Sequence, residues 1–270
     1  MQCAEIAEWI TDWLRDYCVG AGLEGFVVGV SGGVDSALTS TLCARTGLGV
    51  HTLDMPIHQA IDQQGRASRH IARLSGEYPN VEGVSIDLTP AFEAFSAALP
   101  DPIRDDLTMA NSRSRLRMTT LHAFASHHKR LVAGTGNKVE DFGIGFFTKY
   151  GDGGVDLSPI ADLMKSEVVA LAHHLGVVDE ILSAPPTDGL WLDERTDEQQ
   201  IGATYDELEW AMQTLAADKA ASPEPTWSDR QREVVSIYQQ LQQLNRHKMQ
   251  PIPVCKIPDR LRAPSPLSDT

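Results

Sequence analysis

A short apolar run, Phe26-Val27-Val28-Gly29-Val30, breaks into Ser31-Gly32-Gly33 and resumes as the helical pattern DSALTSTLCART, stopped by Gly47. Strand, glycine-rich turn and helix in immediate succession open a βαβ unit, whose next strand lies parallel to the first. The alternation continues. Val50 to Pro56 precedes a helical stretch ending near Leu74-Ser75-Gly76. Val81 to Leu88 precedes Thr89-Pro90, which reads as the N-cap and first residue of the helix AFEAFSAAL. A longer helical region over 105–128 leads to Leu131-Val132-Ala133 and then Gly134-Thr135-Gly136-Asn137. The fold class this predicts is α/β, doubly wound, with a mostly parallel sheet flanked by helices on both faces.

Outside this core the text changes character. The N-terminal segment places Ile6, Ile10, Trp13, Leu14 and Tyr17 at helical spacing opposite acidic residues, which predicts one buried apolar face. Beyond Gly143 a loop, GIGFFTKYGDGGVDLSPI, precedes the helix LMKSEVVALAHHLG, ended by Gly176. One acidic helical stretch (197–220), a hinge SPEPTWS, a polar helix DRQREVVSIYQQLQQLNRHK and a proline-rich tail follow. One domain over 1–250 and a partly disordered tail over 251–270, in whose last eight residues Pro, Ser and Asp dominate, are expected.

The net charge is −14, which disfavours a broad phosphate-backbone footprint, so nucleic acid is not an expected partner. No apolar run approaches the ~20 residues of a membrane span, so no membrane partner is expected either. Glu5, Glu8, Asp12 and Asp16 stand where a secretory signal would be basic and apolar, and a cytoplasmic protein is expected. Cys3, Cys18, Cys43 and Cys255 form no CxxC pair and read as reduced thiols. The adjacent pairs His127/His128 and His173/His174 point apart on a helix and predict no histidine metal centre.

Chemistry concentrates in the glycine turn. Small residues between a strand and a helix let backbone N–H groups approach a phosphate, with the partial positive charge of the helix N-terminus behind them. Ser31-Gly32-Gly33-Val34-Asp35-Ser36 lacks the lysine of a Walker A loop and the spacing of a GxGxxG fingerprint. Taken alone, the turn reads either as an anion cradle or as a plain connection in which Asp35 or Ser36 caps the helix.

SGGVDS resembles the PP-loop of the N-type ATP pyrophosphatases. The segments that follow are similar in order to the NAD synthetase family: Asn111-x-x-x-Arg115, GTGNKVE (134–140), FFTKYGDGG (146–154), Asp156, Lys165, Pro186-Thr187, TDEQQIGATYDELE (196–209) and His247-Lys248. The resemblance covers roughly residues 25–250 and implies an adenine nucleotide alpha hydrolase-like fold. It implies an ammonia-dependent ligase in which the carboxylate of deamido-NAD attacks the α-phosphorus of ATP. Pyrophosphate leaves, and ammonia opens the acyl-adenylate to NAD and AMP.

Carried over residue by residue, the resemblance places Ser31, Gly32, Gly33, Val34, Asp35 and Ser36 around the ATP phosphates, with Thr135, Lys165 and Thr187 also on ATP. Asp35 and Glu140 match magnesium ligands, a donor set suited to octahedral Mg²⁺. Arg115, Lys149, Asp156, His247 and Lys248 match positions that hold deamido-NAD. Asp152 matches the group that meets ammonium and acts as general base, so Asp152, Lys165 and Asp35 are the expected catalytic residues. The loop over 143–158 is expected to close over the adenylate and exclude water. The family is homodimeric, and the apolar face of helix 5–17 suits a dimer contact. Only 30 residues precede the loop, too few for an amidase domain, so free ammonia is the expected donor unless a separate glutaminase chain supplies it. Two other readings share the loop: a PP-loop enzyme adenylating tRNA, against which the acidic balance argues, and a non-catalytic nucleotide sensor.

Overall fold

The computed structural model describes residues 1–59, 61–187, 189–191, 195–218 and 227–262. Its centre is a parallel sheet of four strands, β1 (Gly25–Gly29), β2 (Gly49–Asp54), β3 (Val81–Ser85) and β4 (Leu131–Val132), in the order β3-β2-β1-β4. Register runs Phe26 to Val50 and Leu131, and Val50 to Val81. The chain steps outward from β1 to β3 and then returns to the other side of β1. That reversal opens a crevice above the carboxyl ends of β1 and β4, the place where open α/β sheets bind ligands.

Alternation along β1 supplies both cores. Phe26 and Val28 face one side with Val50, Val81 and Leu131, against α1 (Cys3–Gly20), α2 (Val34–Arg45) and α6 (Lys165–His174). Leu74 of α3 (Ile61–Glu77) joins the same cluster. Val27 faces the other side with Leu53 and Val132, against α4 (Thr89–Ala98) and α5 (Asp106–His128). Phe26, Val27 and Val28 are fully buried, each contributing about 1.5–3 kcal/mol by burial. Gly25 starts β1 where the backbones of β1 and β2 crowd: a Cβ there would lie 1.8 Å from the carbonyl oxygen of Gly49.

A third core closes the C-terminal half. After α7 (Asp179–Leu182), helices α8 (Asp197–Ile201), α9 (Tyr205–Asp218) and α10 (Asp229–Met249) enclose Val139 and Ile144 of a short π-helical stretch, Lys138–Ile144. Leu208, Val234 and Tyr238 supply its centre.

Three expectations change in detail. On α1 the buried face is Ala7, Ile10, Leu14 and Cys18, whereas Trp13 and Tyr17 are exposed with Trp9 on a separate aromatic stripe. The amphipathic arc is narrower than the spacing of apolar residues suggested. Thr89 is the first residue of α4 rather than its cap, because the Asp87 carboxylate accepts from the Thr89 N–H at 2.9 Å. The acidic stretch after Thr196 forms two helices instead of one, broken at Gly202 in the left-handed region (φ 84°). Most of the expected hinge, and the last eight residues of the tail, lie outside the described residues. All four cysteines are free thiols, with Cys18 and Cys43 buried.

Candidate active site

The glycine turn forms at the carboxyl end of β1. Val30 N–H still donates to Leu53 O at 2.8 Å, and the chain then turns through Gly32, whose φ of 85° belongs to the left-handed region that favours glycine. Gly33 is the N-cap of α2, and no side chain caps the helix. The alternative in which Asp35 or Ser36 serves as the cap is thereby excluded: Ser36 Oγ donates back to Gly33 O at 2.9 Å, and Asp35 faces away toward α6. Ser31 N–H donates to Ser36 Oγ at 3.2 Å, and Gly33 N–H donates to Ser31 Oγ at 3.3 Å. The turn is tied to itself with its helix N-terminus open, the geometry of an anion cradle. Beneath it, Ser40 Oγ donates to Ser36 O at 2.7 Å and meets His70 Nε2 at 3.0 Å. Burial, reinforced by nearby Arg73, drives the His70 imidazole down to about 4.

Opposite the cradle, one cation joins two acids. Lys165 Nζ at the start of α6 donates to Asp35 Oδ2 at 2.6 Å and to Glu140 Oε1 at 3.0 Å. Asn137 completes the link: Nδ2 donates to Asp35 Oδ1 at 3.0 Å, while Oδ1 accepts from the Val139 and Glu140 N–H groups at 3.1 Å each. Tyr205 Oη donates to Glu140 Oε1 at 2.5 Å, and its ring lies 4.7 Å from Lys165 Nζ. Burial disfavours charge on Lys165, yet the two carboxylates outweigh it and hold the ammonium protonated. Burial also raises Glu140, but Lys165 and the Tyr205 hydroxyl outweigh it and keep that carboxyl ionised.

Across the same cavity, Asp152 is seated by a reciprocal pair with α5. Ser114 Oγ donates to Asp152 Oδ1 at 2.7 Å and accepts from the Asp152 N–H at 2.9 Å, and Thr148 N–H donates to Oδ1 at 3.0 Å. Thr148 Oγ1 in turn donates to Asn111 Oδ1 at 2.6 Å, stitching the 146–154 segment to α5. Burial, with Asp152 and Glu140 nearby, pushes the Asp141 carboxyl well up.

One cavity therefore gathers Ser31, Gly32, Gly33, Val34, Asp35, Ser36, Thr135, Glu140, Asp152, Lys165 and Thr187. The five residues expected on deamido-NAD are not among its walls, and the donors of Arg115, Lys149 and Lys248 go to main chain. Arg115 Nε donates to Lys149 O at 3.2 Å, and Lys149 Nζ donates to His247 O at 2.8 Å. Lys248 Nζ donates to Gly145 O and Phe147 O at 2.8 Å each. Asp156 accepts from the Val132 N–H at 2.8 Å, bracing the end of β4. His247 is exposed, with Nδ1 at 3.2 Å from Leu244 O in its own helix.

Sequence reasoning missed Asn137, Tyr205 and Ser114, and it missed the cavity residues Asp54, Arg66, Arg117 and Asp141. Asn137 carried a signal, since an Asn immediately before a helical run is a capping residue. Arg66 Nε reaches Gly32 O at 3.4 Å from α3, a contact no local pattern announces.

A parallel sheet with an anion cradle in its first βα turn, lacking the P-loop lysine and supplied with one from the start of α6, defines an adenine nucleotide alpha hydrolase-like protein. The NAD synthase family model matches residues 6–252, and the chain belongs to that family. An NH(3)-dependent NAD(+) synthetase of Methanosarcina acetivorans is 38% identical over 202 residues, covering 73% of this chain and 76% of that one. Among solved structures, the NMN synthetase of Francisella tularensis superposes with a TM-score of 0.81 at 32% identity, covering 95% of this chain and all of that one. The NH3-dependent NAD synthetase of Campylobacter jejuni gives 0.74 at 25% identity, covering 95% of this chain and all of that one.

Proposed function

We propose that the chain forms NAD from deamido-NAD, ATP and ammonia through an acyl-adenylate, releasing AMP and pyrophosphate. The observation that carries this reading is the pairing of Lys165 with Asp35 and Glu140 beside the cradle, with Asp152 in the same cavity. The cradle residues Ser31, Gly32, Gly33, Val34 and Ser36 donate toward the ATP phosphates, and Thr135 and Thr187 line their approach. Lys165 moves from the carboxylates to the phosphates and stabilises charge as pyrophosphate departs. Asp152 receives ammonium and takes its proton, leaving neutral ammonia to attack the adenylate carbonyl. Its Ser114 and Thr148 donors hold the carboxylate in place for that transfer.

The donor set fits Mg²⁺. Asp35 and Glu140 converge closely enough for one ammonium nitrogen to contact both, and both offer hard oxygen ligands. Among the described residues no group of three or more His, Cys, Asp or Glu could hold a metal, which leaves the remaining positions to phosphates and water. Mg²⁺ there would neutralise the triphosphate during displacement.

Arg115, Lys149, Asp156, His247 and Lys248 are assigned to deamido-NAD, and the 143–158 segment to closing over the adenylate. The protein acts as a homodimer in the cytoplasm, on free ammonia or on ammonia from a separate glutaminase. Among the described residues no helix is long and apolar enough to cross a membrane. A second reading keeps the chemistry and shortens the acceptor to nicotinate mononucleotide. It is favoured by the likeness to the NMN synthetase and by the commitment of Arg115, Lys149 and Lys248 to backbone carbonyls.

Purified protein with ATP, Mg²⁺ and each acceptor in turn, supplied with ammonium or glutamine, tests both readings. NAD with stoichiometric AMP from ammonium supports the first, and NMN at a higher kcat/KM supports the second. AMP release with neither product would refute both. Light scattering at the mass of one chain would refute the dimer.

A further inference from the structure

Asp54 closes β2 on the cavity wall, and nothing in the chemistry above uses it. The residue is only 3% exposed, yet among the described residues the single hydrogen bond to its carboxylate comes from Ser85 Oγ at 3.4 Å, longer than an ordinary O–H···O bond. Buried carboxylates are normally satisfied by several donors, so a group this poorly served and lining a cavity lacks a partner the protein does not itself provide. Burial raises the Asp54 carboxyl, and the Ser85 hydroxyl and nearby Arg117, whose Nε donates to Met55 O at 3.0 Å, only partly oppose that rise.

Position says what that partner is. Val30 N–H donates to Leu53 O, so the end of β2 lies one strand spacing, about 4.8 Å, to the side of the cradle mouth. A nucleoside attached to phosphates in the cradle has to leave in that direction or over β4. Met55, which follows β2, joins Met118 and Leu121 of α5 in giving the same cavity an apolar wall for a planar base. In the dinucleotide-binding doubly wound sheets an acid about 20 residues beyond the glycine turn accepts a hydrogen bond from a ribose hydroxyl. Asp54 follows Gly33 at that spacing, although the turn here is not a dinucleotide fingerprint.

We propose that Asp54 is the residue that recognises the ribose of ATP, its carboxylate accepting from the 2′-hydroxyl. This rests on the reading of ATP as the activating substrate and adds the group by which the site selects a ribonucleotide. Equilibrium binding of ATP, 2′-deoxy-ATP and inosine triphosphate, measured by calorimetry on the wild type, Asp54→Asn and Asp54→Leu, tests it without requiring turnover.

The wild type is expected to bind ATP at least about tenfold tighter than 2′-deoxy-ATP, a difference of about 1.4 kcal/mol. Asp54→Leu is expected to bind the two within about twofold, with Asp54→Asn between. The ratio of ATP to inosine triphosphate should be unchanged in all three proteins. Equal ATP to 2′-deoxy-ATP ratios in the wild type and Asp54→Asn would overturn the assignment, as would collapse of the inosine ratio instead, which would place the contact on the base. NAD formation by the wild type in the same preparation separates failure of this assignment from failure of the functional reading.

Discussion

Lowering the pH should loosen the support beneath the phosphate cradle by a calculable amount. His70 is 2% exposed, its Nε2 faces Ser40 Oγ, and its Nδ1 has no hydrogen-bond partner, so protonation would bury a charge with an unpaired donor. Its value falls from 6.5 to about 4 on folding, so the unfolded chain binds the extra proton between those values and the native protein does not. Stability from this group is therefore fully present above about pH 6.5 and is lost as the pH falls toward 4, about 3 kcal/mol in all. At pH 4.5 about 2.5 kcal/mol of it is gone. His70→Gln keeps an amide donor for Ser40 and removes the titration. Urea unfolding of both proteins at pH 7 and 4.5 isolates the effect, because every other titrating group is common to the pair. The stability advantage of the wild type over the variant should fall by about 2.5 kcal/mol between the two pH values. A difference that stays constant within ~0.5 kcal/mol would refute the reasoning, since it would mean that His70 is not held neutral by its surroundings.

Lys165→Met should reduce NAD formation at least a hundredfold, as expected for loss of a preorganised charge at a departing phosphate, in a steady-state assay at saturating substrates. The same change strands Asp35 and Glu140, and thermal unfolding without Mg²⁺ should show a loss of roughly 3 kcal/mol or more. Asp152→Asn should lower kcat by about a hundredfold with ATP affinity unchanged, since the carboxylate serves the ammonium side; calorimetry beside kinetics checks the split. Gly25→Ala forces a Cβ to within 1.8 Å of a main-chain oxygen that no rotamer can move, at a φ of 149°. A cost of roughly 3 kcal/mol should appear as a fall of about 6–10 °C in Tm by calorimetry.

What was legible in the sequence was local. Phe26 to Gly47 declares a strand, a turn and a helix within one window, because apolar runs, glycines and helical spacing act over a few residues. The family segments placed Asp35, Glu140, Asp152 and Lys165 in one site, and the structure brings all four to one cavity. The partners that hold them were not legible. Asn137 lies 102 residues from Asp35, and Tyr205 lies 65 from Glu140, distances over which side-chain direction depends on the whole sheet. Faces failed for a related reason: Trp13 and Tyr17 share helical spacing with Ile10 and Leu14, and only the packing of α2 and α6 against α1 decides which residues are covered. The break at Gly202 was hidden because a lone glycine inside a helical pattern can be tolerated as well as end one.

The cluster around Lys165 also makes the protein a gauge of its own folding. Its bonds close chain loops of 130, 102, 65 and 25 residues at one point, so no fragment of the sequence can assemble it before the strands on either side of β1 are in place. Such closures carry an entropic cost that only completed long-range packing offsets, which places them late in any folding route. Nucleotide affinity should then decline under mild denaturant before helix content does, as the first sign that β4 has begun to part from β1.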